Sequence, residues 1–441
     1  MNLKKTIHSF GLDRRDIQSW TLYDWANSGF ATTMMAAILP IYFFSVAAVE
    51  LPSYRRTAYW GYTSALALAV IALISPFLGT LADIIPKKKF FVGVFTAIGV
   101  LSCFGLSTVQ SGEWPEAMFW YSLGTIGFCG ANIFYESILP HLAVGETGAN
   151  IDCISAAGYS VGYLGGGLLL ALQLLILQNY ELFQFSDKSS SVRFAFFLTG
   201  IWWLVFSLPF FFFVSEPKLN TPDKKFLASC QATIKQLRDT FREIKQYRHV
   251  FLFLVAFWLY SDGIGTVMKM ATSFGKEIGI DDGTLIGALL AVQFLGIPFT
   301  LVFGLLASRI GVRTAIIVCL LVYVAICIFA FNLTTAAEFW VLAVAVSAVQ
   351  GGSQALSRSY FASMIPIERS SEFFGFFSIS SKFAGILGPI VFALSSEFFA
   401  SSRLSILSVI IFFVLGILLL LKLRVPLDET REIVYNSSKL Q

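Results

Sequence analysis

Gly79-Thr80-Leu81-Ala82-Asp83-Ile84-Ile85-Pro86-Lys87 closes one long apolar run, and Gly304-Leu305-Leu306-Ala307-Ser308-Arg309-Ile310-Gly311-Val312-Arg313 closes another in the later part of the chain. Both read Gly-x-Leu-Ala into a short polar or basic turn. A second echo, Gly162-Tyr163-Leu164-Gly165 and Gly385-Ile386-Leu387-Gly388, keeps nearly the same spacing. Recurrence at half-chain intervals marks a duplicated unit. In membrane proteins, parallel repeats of helices about an axis along the membrane normal are a transporter plan.

Composition agrees. Of 441 residues, 56% are hydrophobic and 13% charged, about half the roughly 25% usual in soluble domains. So little charge excludes a soluble enzyme and a disordered chain. The net charge is only +4, and the basic residues sit in short segments, so no face for nucleic acid forms. Of the six cysteines, Cys103, Cys129, Cys153, Cys319 and Cys327 fall in apolar runs and Cys230 in a basic segment, without ligand spacing. Neither a disulfide framework nor a metal site is expected. No GxxxxGK[ST] loop or nucleophile–base set occurs, so no cofactor, ATP or catalysis is expected. The N-terminus lacks an apolar stretch with a small-residue cleavage site, so the first span is expected to target the chain.

A membrane-crossing helix needs roughly 20 largely apolar residues. That rule gives spans near 24–48, 58–82, 90–109, 116–139, 152–178 and 193–214, then 250–274, 283–307, 314–332, 338–362, 373–396 and 403–422. The expected fold is therefore an all-α membrane protein of twelve helices: a six-helix bundle over 1–214, a linker over 215–249, a second bundle over 250–422 and a tail over 423–441. Lys and Arg crowd one side: Lys4, Lys5, Arg14 and Arg15, the Lys87–Lys89 cluster, Arg309, Arg313, Arg369, the linker and the tail. Only Arg55, Arg56, Lys188, Arg193, Lys276 and Arg403 fall on the other side. The positive-inside rule then places both termini and the linker in the cytoplasm. In the linker, Ile234, Leu237, Phe241, Ile244 and Tyr247 recur every three or four residues among Lys and Arg, an amphipathic helix expected to rest on the inner leaflet.

The Gly79–Lys89 segment resembles the loop signature of the major facilitator superfamily, departing from it at Ile84 and Pro86; the second copy has Ser308 in place of the acid. Tyr23-Asp24-Trp25-Ala26-Asn27-Ser28, Phe134-Tyr135 with Leu139-Pro140, Gly158-Tyr159 through Gly166, Asp262-Gly263 with Thr266, and Gln350-Gly351-Gly352-Ser353-Gln354-Ala355-Leu356-Ser357-Arg358-Ser359 are similar to the vacuole effluxer-like branch of that superfamily. The resemblance implies a twelve-helix transporter with spans 1, 4, 7 and 10 around a central cavity. It also implies a small organic solute, with amino-acid efflux as one reading.

Charged groups inside spans cost about 2.5–3.5 kcal/mol each on insertion scales and need a partner or a wet path. Asp24, Glu136, Asp262, Lys269 and Arg358 all fall on the four cavity spans, and Lys382 lies on span 11. Gln350, Gln354 and Arg358 form a polar stripe at helical spacing. Aligning Gly130 with Gly352 sets Glu136 opposite Arg358 in the repeat, which suggests an ion pair locking an inner gate; Arg358 is alternatively a carboxylate clamp or a snorkelling residue. Asp262 and Lys269 share a face and either pair or meet the two ends of a zwitterion. Asp24 and Asn27 lie a turn apart, with Asp24 alternatively a helix cap. Asp152 reads as a cap or dipole partner of span 5. The expected solute or coupling residues are Asp24, Asn27, Tyr135, Asp262, Lys269, Gln350, Gln354, Arg358 and Lys382. The expected gate residues are Asp83, Lys87, Glu136, Arg309, Arg313 and Arg358, with Asp83 facing the start of span 11 at Ser370 and Ser371.

The expectation is a monomeric secondary or facilitative transporter in a bacterial cytoplasmic membrane, with proton coupling or uniport both compatible. Its partners are a small-molecule substrate, protons and the bilayer, with no nucleic acid. The alternatives are a lipid or amphiphile carrier and a non-transporting sensor on a transporter fold.

Overall fold

The computed structural model describes residues 8–85, 87–143, 150–216, 226–242, 247–277, 280, 282–384, 388, 391, 395 and 402–423. Among them every regular element is a helix. The first six long helices are α1 (Arg15–Phe30), α2 (Ser53–Ile84), α3 (Lys88–Leu106), α4 (Trp114–Glu136), α5 (Ile151–Gln178) and α6 (Lys188–Phe213). A linker helix, Phe226–Arg242, follows. Then come α7 (Arg248–Glu277), α8 (Asp282–Ile310), α9 (Val312–Phe331), α10 (Ala336–Met364), α11 (Ser370–Phe383) and α12, formed by Ser402–Ser408 and Ile410–Lys422. Ten of the described helices are long and apolar enough to cross a membrane; α4 and α11 are not among the ten.

The first helix begins at Arg15, ahead of the span expected from residue 24. Its early turns are polar, so hydropathy misses them, yet Ile17, Trp20 and Thr21 are buried. Asp24 therefore lies inside α1 and caps nothing, which corrects that alternative. Beyond Phe30 the ladder widens into π turns over Ala31–Ala37 before the short helix Ile38–Tyr42. Pro40 explains the break: it has no N–H, and its ring crowds the carbonyl one turn back. At the other extreme, α11 starts at Ser370, ahead of the expected 373, and breaks after Phe383, where Ala384 turns extended (ψ 127°); beyond it Gly388, Val391 and Ser395 are helical again, within the expected 373–396. Helix α5 is capped by Asn150, whose side chain accepts from Asp152 N, so Asp152 is the capped residue rather than the cap. A capping box of Thr335 and Glu338 starts α10.

Two seams join the first six helices to the last six, α2 against α11 and α5 against α8 and α10. Lipid tails are as apolar as leucine, so close helix approach here depends on small residues and polar contacts. Gly375 brings α11 onto the Ser75 carbonyl, where an added Cβ would stand 2.6 Å away, and Gly304 of α8 brings the Ala156 methyl within 2.7 Å of the same position. Within the first half, Gly162, Gly165 and Gly166 let α5 lie directly on α1 at Ser28 and Trp25.

The linker helix, expected to rest on the inner leaflet, is seated on protein. Ile234 is exposed, as a lipid-facing residue requires, but Ser229, Thr233 and Thr240 are buried and the helix packs on α2. Gln236 Nε2 donates to Glu372 Oε2 at 2.6 Å, and the Thr240 hydroxyl donates to the other Glu372 oxygen. Of the expected apolar stripe, the side chain of Phe241 and all of Ile244 lie outside the described residues.

Candidate functional site

Between the two halves lies a cavity of about 260 Å³, lined from α1, α4, α5, α8 and α10. Asp24, Asn27 and Ser28 enter from α1, Asn132 and Glu136 from α4, Tyr159 and Tyr163 from α5, Gln293 from α8, and Gln350, Gln354 and Arg358 from α10. Pockets for drug-sized ligands run upward from about 300 Å³, so this one suits a smaller solute. Its wall is unusually polar for a membrane interior.

Arg358 is 1% exposed and is held on every side. Nη1 donates to Asp24 Oδ2 at 3.2 Å, Nε to Ser155 Oγ at 2.9 Å and Nη2 to the Ser155 carbonyl at 2.9 Å. The guanidinium lies over the rings of Trp20 (4.9 Å) and Tyr159 (4.3 Å), a placement that a planar, weakly hydrated cation favours. Trp20 in turn stacks on Tyr135 at 4.7 Å, and the Tyr135 hydroxyl donates to the Trp20 carbonyl at 3.0 Å. Gly158 makes room for the pair: a Cβ there would collide with the Asp24 carboxylate. The partner of Arg358 is thus Asp24 of α1. This corrects the pairing with Glu136 that the repeat suggested, and it leaves Arg358 neither snorkelling nor a free carboxylate clamp. Glu136 lines the same cavity but has no hydrogen bond or ion pair among the described residues.

Of the other expected residues, Asn27 donates to Asn132 Oδ1 at 2.9 Å, and Gln350 and Gln354 line the wall. Asp262 does not: it is 1% exposed and accepts from Gly388 N at 3.0 Å, tying α7 to the chain beyond α11. Lys382 stands in the last turn of α11 and is also off the lining. The side chain of Lys269 lies outside the described residues. The sequence reading passed over Asn132, Gln293, Tyr159 and Tyr163. Asn132 was findable, standing one turn before Glu136 on the same face, and Gln293 was findable as an amide in an apolar run.

A second charged cluster, apart from the cavity lining, joins α2 and α3 to the start of α11. Asp83 Oδ1 accepts from Ser371 N at 3.1 Å and Oδ2 from Glu372 N at 2.7 Å, the start of α11 where backbone N–H groups are unpaired and the dipole is positive. Lys88 Nζ lies 3.1 Å from Asp83 Oδ1 with both side chains buried, and it donates to Ser370 Oγ at 2.6 Å. His141 touches both, 3.3 Å from Lys88 Nζ and 3.3 Å from Ser370 Oγ; burial first, and the Lys88 charge second, push its pKa down to about 3. Ser371 Oγ donates to Ser137 Oγ at 2.9 Å. Glu372, fully buried, gathers the linker helix and Arg369, whose Nε donates to it at 2.9 Å. The base on Asp83 is Lys88, whereas the expected Lys87 is exposed. Arg309 is exposed as well, and Arg313 donates to the Leu423 carbonyl. Neither joins this cluster. No group of three or more metal-ligating side chains occurs among the described residues.

The family model described as "Vacuole effluxer Atg22 like" matches residues 51–432. The chain is 36% identical over 405 residues, 91% of its length and 93% of the relative's, to "Uncharacterized MFS-type transporter YxiO" of Bacillus subtilis. It is 27% identical to "Autophagy-related protein 22-2" of Aspergillus clavatus over 57% of this chain and 44% of that one. Among solved structures it is similar to the proton:xylose symporter XylE of the major facilitator superfamily, with a TM-score of 0.68 at 14% identity over 95% and 96% of the two chains. The transporter FucP in its outward conformation gives 0.68 at 12% identity over 93% and 98%.

Proposed function

Because the chain belongs to the vacuole effluxer Atg22-like family of major facilitator transporters, we propose that it moves a small polar organic solute across a membrane by alternating access, with amino acids the first class to test. The observation that carries this reading is the cavity between the halves, where acids, amides and Arg358 stand among Ala31 and Phe128, together with the buried Asp83–Lys88 cluster that fastens α2 to the start of α11. Rocking of two six-helix bundles about such a site opens it to one side at a time. In this reading the bundles are 1–214 and 250–422, joined by the 215–249 linker and followed by the 423–441 tail, and the spans number twelve. Both termini and the Asp83 end face the cytoplasm of a bacterial cell, and the working unit is the monomer.

Each part then has a task. Asp83 and Lys88 hold the cytoplasmic side shut, with the linker helix bracing Glu372. The Asp24–Arg358 pair ties α1 to α10 across the bundles just beneath the solute. Asn27, Gln350 and Gln354 contact the solute, and Glu136 is the carboxylate available for a proton or a cationic group. The family and fold point to a carrier rather than a catalyst.

Counterflow in proteoliposomes tests this. Vesicles loaded with one unlabelled amino acid or amine should accumulate the labelled form transiently, and Arg358→Gln should abolish the accumulation. Absence of counterflow for every small polar solute tried, with correctly folded protein, contradicts the reading.

A further inference from the structure

Among the described residues, all the charged groups on the cavity wall but one are matched within the protein. Arg358 donates through three nitrogens, is sandwiched between Trp20 and Tyr159, and is balanced by Asp24. Among the described residues, therefore, no cation on the lining is uncommitted. Glu136 is the exception, an unpaired carboxylate among amides and phenols. Two further polar atoms on the same wall, Gln350 Oε1 and the Tyr163 hydroxyl, are buried and have no hydrogen-bond partner. A carboxylate held unmatched in a low-dielectric cleft is costly, and an occupant of opposite charge both relieves that cost and gains a charge-assisted bond. A carboxylate on the occupant finds no such reward here. Gln350 Oε1 is an acceptor, which again suits an N–H donor.

Resting on the reading of this cavity as the solute site, we infer that the protein selects its solute by an ammonium group docked on Glu136, with Gln350 and Tyr163 bonding the polar remainder, and that a carboxylate on the solute adds nothing to binding. Arg358, whose charge is the first to reach Glu136, is already committed to Asp24 and Ser155, and the nearest rival left is Lys382, whose charge reaches Glu136 second. It stands at the end of α11 outside the lining, placed to balance Glu136 between occupants rather than to receive a carboxylate.

The test uses matched probes on the full chain in nanodiscs at pH 7: glutamine, 4-aminobutanamide (glutamine without its carboxyl) and glutaramate (glutamine without its amine), alongside serine, ethanolamine and 3-hydroxypropanoate. Calorimetric or thermal-shift affinities should be alike, within about threefold, for the amine-bearing members of each set, and at least about tenfold weaker for the deaminated one. Glu136→Gln should weaken the amines about tenfold to a hundredfold, while Lys382→Ala leaves them unchanged or tighter. Binding of glutaramate or 3-hydroxypropanoate in preference to the amines overturns the inference. So does silence of every amine, or loss of amino-acid binding in Lys382→Ala with amine binding intact. Flux separates the two readings: amines that bind without counterflow contradict the transporter, and counterflow of carboxylates alone contradicts the ammonium site.

Discussion

At the end of α2, Asp83 is 5% exposed, takes two backbone N–H groups of α11 and pairs with buried Lys88. At the matching end of α8, Ser308 is exposed and bonds only the Leu305 carbonyl of its own helix, and Arg309 beside it is exposed too. The two seams that these loops terminate differ accordingly. The α2–α11 seam is fastened by charge. Where α5 meets α8 the other seam is fastened by close approach, with Gly304 against Ala156 and Ser160 Oγ donating to the Ile297 carbonyl at 3.2 Å; its charge, Arg358 on Ser155, lies farther along at α10. A duplicated sequence has kept its buried acid latch in one copy and not in the other. A seam held by a few buried charges releases in one step when they are disturbed, whereas one held by packing yields gradually.

The largest effect should follow from breaking the charged seam. Asp83→Ala strands Lys88, fully buried, and removal of one partner of a buried pair costs about 3–5 kcal/mol. The expected result is a large loss of thermal stability in detergent, or a shift to a state open at that end. Asp83→Leu with Lys88→Met should recover much of the loss, because the cost lies in the stranded charge. A single substitution as mild as an exposed one would show that the seam does not depend on this pair.

Acid should loosen the same seam by less. His141 is held neutral, its pKa pushed down to about 3, while a released imidazole titrates near 6.5. The closed arrangement therefore keeps its full advantage above about pH 6.5 and loses it as pH falls toward 3, by about 2 kcal/mol at pH 5. Stability or end-accessibility measured from pH 7.5 to 5 should show this slope, and His141→Gln should flatten it. An equal slope in the variant assigns the acid sensitivity elsewhere.

The smallest effect belongs to the unlatched copy. Ser308→Asp restores an acid to the second turn, but at an exposed site, where substitutions usually stay within about 0.5 kcal/mol. An effect as large as that of Asp83→Ala would mean that the second turn also seats against a partner in another state.

Much of the architecture was legible because apolar length is a strong signal: the long helices fall where hydropathy puts them. The ends were not. Polar early turns hid the start of α1, and nothing in the sequence pattern announces the break at the extended Ala384 within the expected last part of span 11. Of the four cavity helices that the resemblance implied, α1, α4 and α10 contribute to the described lining and α7 does not, while α5 and α8, which were not expected, supply Tyr159, Tyr163 and Gln293; nor does sequence say how each helix is rotated. Repeat logic set Arg358 against Glu136; the side chain instead turns to Asp24 and Ser155, because Gly158 opens that side and Trp20 and Tyr159 flank it. Asp262 looked like a site residue by charge alone, yet its carboxylate is occupied by a backbone N–H beyond the end of α11, a bond that no pattern announces.

The central proposal is that access to the cavity is decided at Asp83. A cysteine at Gln354, on the cavity wall, reports that access, since the five described native cysteines are buried and Cys230 is replaceable by serine. A membrane-impermeant maleimide should label it in right-side-out vesicles and spare it in inside-out ones, with Asp83→Ala raising the inside-out labelling severalfold. Equal labelling from both sides, unchanged by Asp83→Ala, would contradict the account.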